Sequence, residues 1–356
     1  KGVQRRNPGT RVPVPPRFLM LIIYLFAYRQ ERTDDKRQIN DGDEHARRLV
    51  HDDAEPETNI QAQNQTDDKT DNDEHELADD HPFQGTDFSV EAECFGAPVH
   101  DSEDEVPTVT GRVIHSPADA ETLRIPPMGA GRTGICIDAI RLASRKIADR
   151  PVFAGVIGPF SLAGRLTDVT EAMIDCYEEP EMMHTVLAKT TDFLIGYIRA
   201  FKEAGANGVV IAEPLAGLLP PDLAEEFSAR YVKKINDAVK EPSFLTIYHN
   251  CGNTALLTLG SILSTDSDAY HFGNASDMAE MLGHVPADTL VFGNLDPAGI
   301  LRNGDPETVK RETAALLKAC GGHKNFVLSS GCDIPPATPW ENIDAFFAAA
   351  REFYKR

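Results

Sequence analysis

Three side chains in this sequence have the types and the spacing that could do chemistry: His249, Cys251 and Cys332. His249 and Cys251 lie two residues apart directly after an apolar run that ends at residue 247, and Cys332 follows a second such run at 325–328. Residues two apart on extended backbone project from the same side, and a Cys at the end of another strand can then complete a zinc site. Three protein ligands leave one coordination position open, so the pattern predicts a catalytic rather than a structural metal centre.

The alternative is that these side chains only pack or form hydrogen bonds. Free Cys is often a small buried hydrophobe, and a chain with 6 Cys can contain an accidental His-x-Cys. The metal interpretation is favoured because both cysteines follow strand-like runs and both are flanked by glycine. The remaining cysteines show no partner spacing and are interpreted as core or surface thiols: Cys94, Cys136, Cys176 and Cys320. No disulfide framework is implied, and a reducing cytoplasm is the simplest location for the chain.

From residue 85 onward, strand-like and helical patterns alternate. The predicted strands are 152–157, 208–212, 243–248, 269–272, 289–292 and 325–329. The predicted helices are 183–204, 221–240, 254–263, 276–284, 306–320 and 339–354. Two of these helices should start at Pro306 and Pro339, because proline is favoured in the first turn after an N-cap residue. Six β-α repeats with short connections predict parallel strands joined by right-handed crossovers.

The positions of the polar residues indicate how these strands are arranged. Polar side chains, glycines and cysteines follow the strands directly, and in a (β/α)8 barrel all such loops lie on one face and form the active site. We therefore predict an α/β fold with a (β/α)8 TIM barrel in preference to an open, doubly wound sheet. The first two barrel strands are expected near 12–14 or 18–25 and near 86–90.

Further side chains are expected around the metal centre. The predicted substrate-binding residues are Gly158, Glu213, Asn253, His271, Asn294 and Asp296. His271 is the first candidate for a fourth zinc ligand and Glu213 is the second, while a hydrogen-bonded pocket residue is the alternative for His271. For Asp296, a structural helix cap is as good an interpretation as a substrate contact.

A glycine-rich segment at 129–134 fits G-x-G-x-x-G and precedes an amphipathic helix at 136–148. A dinucleotide fingerprint needs a strand immediately before it. Here the preceding residues contain Pro126 and Pro127, which a central strand does not tolerate. The segment is therefore interpreted as a flexible loop ahead of a helix.

The net charge of −21 argues against a nucleic-acid partner, because phosphate binding requires a positive surface. Residues 31–80 alone contain eighteen acidic and six basic side chains, which gives −12. Such a composition buries too little apolar surface to offset ordering entropy, so most of 30–80 is predicted to be disordered. We expect a divergent N-terminal segment at 1–80 and a barrel domain at 81–356.

An apolar run at 18–28 follows several basic residues and partly resembles a signal peptide. Its eleven residues are too few to span a bilayer as a helix, and no small-residue cleavage site follows. A strand or helix of the fold is the favoured interpretation. We therefore predict a cytoplasmic protein without a membrane partner.

Several segments resemble the uroporphyrinogen decarboxylase superfamily, namely 85–96, 155–166, 248–254, 293–297 and 329–340. Within it, His-x-Cys followed much later by Gly-Cys-x-Ile-Pro-Pro resembles the methylcobamide:coenzyme M methyltransferase branch. The resemblance covers residues 85–356 and implies a (β/α)8 barrel.

The resemblance also implies a reaction and its partners. It implies a zinc-dependent transfer of a methyl group from a methylated corrinoid to a small thiol such as coenzyme M. The sequence has no Asp-x-His-x-x-Gly corrinoid motif, so the methylcobamide should arrive on a partner corrinoid protein.

The first alternative is a uroporphyrinogen decarboxylase, which the absence of a Met-Arg-Gln-Ala-Gly-Arg type segment near the N-terminus disfavours. The second is a non-catalytic protein that binds a corrinoid or a thiol.

Overall fold

The computed structural model describes residues 87–100, 107–335 and 337–355. Its centre is a parallel sheet of six strands: β3 Phe153–Ile157, β4 Gly208–Ala212, β5 Leu245–Asn250, β6 Ala269–Phe272, β7 Leu290–Leu295 and β8 Phe326–Ser330. Two shorter strands, β1 Val99–His100 and β2 Thr108–Val109, form a separate antiparallel pair.

Helices connect the strands of the sheet. Before β3 they are Ser89–Cys94, Pro117–Thr122 and Arg132–Lys146. Between β3 and β5 they are Pro159–Thr167, Val169–Glu178, Pro180–Glu203, the 3-10 turn Leu215–Leu218, Pro221–Leu223, the π-helix Ala224–Ala229 and Arg230–Val239. After β5 they are Leu259–Ser264, Met278–His284, the π-helix Pro297–Arg302, Pro306–Cys320 and Trp340–Tyr354. The predicted alternation of parallel strands and helices is confirmed.

The strand order decides between the two architectures that the sequence allows. Each strand pairs in parallel with the next one along the chain, from β3 to β8 without a reversal. A doubly wound sheet reverses its order at a switch point, whereas a barrel proceeds sequentially. The order therefore agrees with the barrel.

The core of the sheet consists of one apolar layer. Each of the six strands contributes one buried side chain to it: Phe153, Val210, Ile247, Ala269, Phe292 and Val327. In barrels, inward-facing side chains fill the interior and stack in layers. This layer forms a rigid support below the carboxyl ends of the strands.

Strands β5 and β7 continue further than the apolar pattern predicts, by two and three residues. The polar residues His249 and Asn250 pair with Ala212, His271 and Phe272 on the neighbouring strands. Backbone pairing thus extends the strands into polar sequence, because these side chains are buried at the carboxyl ends of the strands and have hydrogen-bond partners there.

The prediction of a strand at 86–90 is wrong for its described residues, because the chain forms a helix from Ser89 to Cys94. The carboxylate of Asp87 accepts a hydrogen bond from the backbone N–H of Ser89, which starts the helical turn. The other predicted strand sites, 12–14 and 18–25, lie outside the described residues, as do the acidic segment 30–80 and the apolar run 18–28.

The structure also confirms that the glycine-rich segment is not a dinucleotide fingerprint. Residues 110–131 form no strand, and a helix begins at Arg132 inside the motif. Within the described part of the chain, no helix has both the length and the apolar character to cross a membrane.

Candidate metal centre

The structure brings the three predicted ligands together. The ligand atoms of His249, Cys251 and Cys332 all lie within 4.8 Å of one another. His249 Nε2 and Cys332 Sγ are 3.5 Å apart, although 83 positions separate the two residues in the chain. His249 lies near the end of β5, Cys251 follows it directly, and Cys332 lies two residues beyond β8. The parallel strands thus place all three at their carboxyl ends, the side on which barrel enzymes have their active sites.

A backbone carbonyl orients the imidazole of His249. Its Nδ1 lies 3.2 Å from the carbonyl oxygen of His271, which can only accept a hydrogen bond. Nδ1 therefore carries a proton, and Nε2 is the ring nitrogen that faces the cysteines. Metal-binding histidines are oriented by this arrangement, in which the other ring nitrogen donates to a carbonyl or carboxylate.

The two cysteines differ in protonation. A hydrogen bond from the Cys332 thiol and the proximity of His249 lower the pKa of Cys251 to about 5. The shared hydrogen bond and burial raise the pKa of Cys332 above its usual range. Burial alone would lower the pKa of His249, but the nearby Cys251 thiolate raises it. The metal-free site therefore holds one thiolate, at Cys251.

The backbone around Cys251 is held by close contacts. The Asn250 side-chain oxygen accepts a hydrogen bond from Gly252 N at 2.8 Å, so a tight turn encloses Cys251. A Cβ atom at Gly273 would lie 2.6 Å from Cys251 Cα, and one at Gly252 would lie 2.8 Å from Gly217 Cα. The site thus depends on glycines at two close backbone approaches.

Glu213 is fully buried and lies at the N-terminus of the helix Pro159–Thr167. Its two carboxylate oxygens accept hydrogen bonds from Phe160 N and Ser161 N, each at 2.9 Å, and one also accepts from Ser161 Oγ at 2.7 Å. Burial raises the pKa of Glu213 to about 7 despite these bonds. A Cβ atom at Gly158 would overlap the Glu213 side chain. The structure therefore places Gly158 and Glu213 together, as a clamp on the turn after β3.

His271 lies on β6 beside His249, with ring centroids 4.4 Å apart. Its Nε2 lies 2.7 Å from the carbonyl oxygen of Ser330 and donates a hydrogen bond to it. Its Nδ1 is buried without a hydrogen-bond partner among the described residues. Burial and the neighbouring His249 lower the pKa of His271 to about 3, so the ring is neutral. Neither His271 nor Glu213 belongs to the cluster of ligand atoms.

The other predicted pocket residues make contacts with the backbone. Asn294 Nδ2 donates to Gly273 O and Ser276 O, at 2.9 and 2.7 Å. Asp296 caps the π-helix Pro297–Arg302 by accepting from two backbone N–H groups, so the cap interpretation is confirmed. Asn253 is exposed in the turn after Cys251. A substrate contact for these three residues stays a prediction.

Two carboxyl groups near the strand ends, the buried Glu91 and the half-buried Asp333, escaped the sequence analysis. Glu91, on the helix Ser89–Cys94, accepts a hydrogen bond from Ile157 N at 3.2 Å, and burial raises its pKa to about 7. Burial also raises the pKa of Asp333, directly after Cys332, to about 6. Because Asp333 directly follows the predicted ligand Cys332, its place near the site could have been predicted from the sequence. The local pattern around Glu91 gave no sign that it reaches the end of β3.

The donor set suits zinc. Zn–S and Zn–N bonds of about 2.3 and 2.1 Å at tetrahedral angles place sulfur and nitrogen about 3.6 Å apart. The 3.5 Å between Cys332 Sγ and His249 Nε2 matches this spacing. Two cysteines and one imidazole with a free Nε2 are soft and borderline ligands of the kind that zinc selects.

Known proteins resemble this chain along most of its length. The sequence model of the uroporphyrinogen decarboxylase (URO-D) family matches residues 80–353. The methylcobamide:CoM methyltransferase MtbA of Methanosarcina acetivorans is 30% identical over 272 residues, which cover 75% of this chain and 78% of that protein. The uroporphyrinogen decarboxylase of Coxiella burnetii is 30% identical over 266 residues, covering 69% and 71%. A solved methyltransferase structure from Methanosarcina mazei has a TM-score of 0.68 at 27% identity, covering 75% of this chain and 78% of that one.

Proposed function

The chain belongs to the uroporphyrinogen decarboxylase family, and on this premise we propose that it is a zinc-dependent methyltransferase. It would move a methyl group from a methylated corrinoid to a thiol such as coenzyme M. The observation that carries the proposal is the cluster of His249, Cys251 and Cys332. The methylcobamide:CoM methyltransferases among the relatives support the same reaction class.

The three ligands would hold the metal and leave one position for the substrate sulfur. Zinc bound there would lower the pKa of an incoming thiol while leaving the bound sulfur nucleophilic. The lowered pKa of Cys251 favours its thiolate form, and His249 presents Nε2 because the carbonyl of His271 holds its other nitrogen. These residues therefore need little reorganisation to bind the metal.

The reaction is a transfer of the methyl group between two partners. The substrate sulfur forms a bond to the methyl carbon with its own electron pair, while the cobalt–carbon bond breaks and leaves its electron pair on cobalt. The products are a methyl thioether and the reduced corrinoid. A corrinoid protein would supply the methyl group at the carboxyl ends of the strands. All six cysteines are unpaired, which fits the reducing cytoplasm that we propose as its location.

Decarboxylation of a porphyrinogen is the second candidate, because a decarboxylase from Coxiella burnetii is as similar in sequence as the methyltransferase. A decarboxylase has no need for a cluster of one imidazole and two thiols. The third candidate is a protein that binds a corrinoid or thiol without turnover.

Zinc content and methyl transfer distinguish these candidates. We expect one zinc per purified chain and methylation of coenzyme M with methylcobalamin as donor. Cys251→Ala and Cys332→Ala should each lose zinc and activity, because two ligands bind zinc far more weakly than three. The apolar layer of the sheet does not depend on the metal, so circular dichroism should show that both variants fold.

Cys320→Ala is the matched control, since this buried cysteine lies on the helix Pro306–Cys320 outside the cluster. It should keep both zinc and activity. Porphyrinogen turnover without zinc would support the decarboxylase, and thiol binding without methyl transfer would support the accessory protein. Full activity and stoichiometric zinc in Cys332→Ala would refute the proposed site.

A further inference from the structure

We propose that the side chain of His271 is a positioning residue that holds the Cys332 end of β8 against His249. It would thereby set the spacing at which ligands from β5 and β8 meet around one metal ion. The inference rests on the proposed function, because it assigns a role toward the metal of that site. It differs from a role as fourth ligand, since the side chain would act on the backbone of β8 rather than on the metal.

A closed ring of contacts carries the proposal. His249 Nδ1 donates to the carbonyl oxygen of His271, and His271 Nε2 donates to that of Ser330 at 2.7 Å. The hydroxyl of Ser330 donates to the carbonyl oxygen of Cys332 at 2.6 Å. Cys332 Sγ then lies 3.5 Å from His249 Nε2, which completes the ring. His271 therefore contacts both strands that supply ligands.

The hydrogen bond from His271 spans an unusual distance in the sheet. Strand β7 lies between β6 and β8, and its pairing puts His271 level with Val327, three residues before Ser330. The backbones of His271 and Ser330 would therefore be about 14 Å apart in a flat sheet. The imidazole reaches the carbonyl directly, because the curved sheet brings β8 towards β6. Without this bond, the carbonyl of Ser330 would lose its buried donor at the turn that carries Cys332.

Only one of the two ring nitrogens of His271 has a described hydrogen-bond partner, and this partner lies on β8. A histidine that donates from Nε2 to a carbonyl has its acceptor at Nδ1, and this atom is buried without a partner among the described residues. The only described hydrogen bond of this side chain runs to Ser330, so we assign the role to that bond.

Two amide variants separate the hydrogen bond from the presence of a polar side chain. The amide nitrogen of His271→Gln corresponds to Nε2 and can still donate to Ser330 O. The amide of His271→Asn ends at the position of Nδ1 and cannot reach it. Zinc affinity is measured on the full chain by competition with a chromophoric chelator, and cobalt(II) in place of zinc reports the number of bound thiolates by its absorption.

His271→Asn should bind zinc about 10- to 100-fold more weakly, as is typical when a partner outside the ligand shell is lost. Its cobalt spectrum should show weaker thiolate-to-metal absorption, because Cys332 is displaced. His271→Gln should bind within about threefold of the parent chain. Ser330→Ala removes the next bond of the ring and should weaken zinc binding even if His271→Asn fails to fold.

The outcomes for this inference and for the proposed function are distinct. A parent chain that binds no zinc would contradict the proposed function before any variant is made. If the parent binds zinc and His271→Asn binds equally well, the positioning role is wrong while the proposed function stands. An equal loss in His271→Gln and His271→Asn would also overturn it, because the retained donor would then have no effect.

Discussion

At the scale of single residues, the environment gives identical side chains different properties. Cys251 and Cys332 are both cysteines beside His249, yet the pKa of one is lowered and that of the other is raised. The two thiols share one hydrogen bond, so the first to ionise makes ionisation of the second unfavourable. The same principle applies to Glu213, whose burial keeps the carboxyl protonated at a higher pH than in the unfolded chain.

Glu213 should make stability depend on pH. Its pKa is raised from 4.5 to about 7, so its contribution is fully present below pH 4.5 and is lost as pH rises through 7. Urea unfolding should therefore show that the free energy of unfolding falls more between pH 5 and pH 7 in the parent than in Glu213→Gln. The slope of the free energy of unfolding against pH should differ between the two chains by up to about 1.4 kcal/mol per pH unit, which corresponds to one bound proton. Glu280→Gln, at an exposed position, is the control, and equal slopes in all three chains would contradict the assignment.

At the scale of elements, the turn after β3 is the best-anchored connection near the site. Glu91 accepts a hydrogen bond from Ile157 N on one side, and Glu213 accepts from Phe160 N and Ser161 N on the other. Both carboxyl groups satisfy backbone donors at the junction of a strand and a helix, where such donors lack partners within the element. This explains how a short turn without a binding motif can have one conformation.

Gly158→Ala tests this turn. Its Cβ would overlap the Glu213 side chain, so we expect a loss of stability of about 1–3 kcal/mol, as for other overpacked sites. The displaced carboxylate should also lower methyl transfer, because the backbone N–H of Glu213 donates a hydrogen bond to the carbonyl oxygen of His249 at 2.9 Å. Urea unfolding and the activity assay measure the two effects.

The control for this variant is Gly283→Ala, in the helix Met278–His284. A Cβ at Gly283 would meet no atom within 4 Å, so the substitution should be neutral or stabilise by up to about 1 kcal/mol. If the Gly158→Ala chain is as stable as this control, the Glu213 side chain can move enough to accommodate the added Cβ.

At the scale of the whole molecule, the family match begins where the acidic stretch 31–80 ends. The family match covers residues 80–353, and the six strands and all three ligands lie within it. The stretch 31–80 carries −12 and lies outside the match except for its last residue, while residues 81–356 carry −15. We propose that the barrel domain at 81–356 is the unit that carries the reaction.

Limited proteolysis tests this division. The composition of 30–80 predicts that a protease at low concentration cuts there first and leaves a resistant fragment that begins near residue 80. N-terminal sequencing and the mass of the fragment give the boundary. Protection of 30–80 comparable to that of the barrel would mean that the segment is folded.

The sequence by itself indicated the fold class and the family, and it predicted that His249, Cys251 and Cys332 meet, as they do in the structure. The alternation of apolar runs and amphipathic segments predicted all six strands of the sheet, and 208–212 and 269–272 match the structure residue by residue. These features depend on local periodicity. The spacing of His-x-Cys likewise places two candidate ligands close together through local sequence alone. The family resemblance is confirmed by the match to residues 80–353.

Only the tertiary structure decided what surrounds the ligands. The hydrogen bond from His271 to Ser330 joins residues 59 positions apart, and the bond from Ile157 to Glu91 joins residues 66 apart. Where a strand was predicted at 86–90, the chain enters the helix Ser89–Cys94, and the Asp87 side chain accepts a hydrogen bond from Ser89 N at its start. Local patterns carry no record of such pairings, because curvature of the sheet and burial determine which polar groups meet. The sequence therefore identifies the candidate ligands, whereas their positions and pKa values depend on the packed fold.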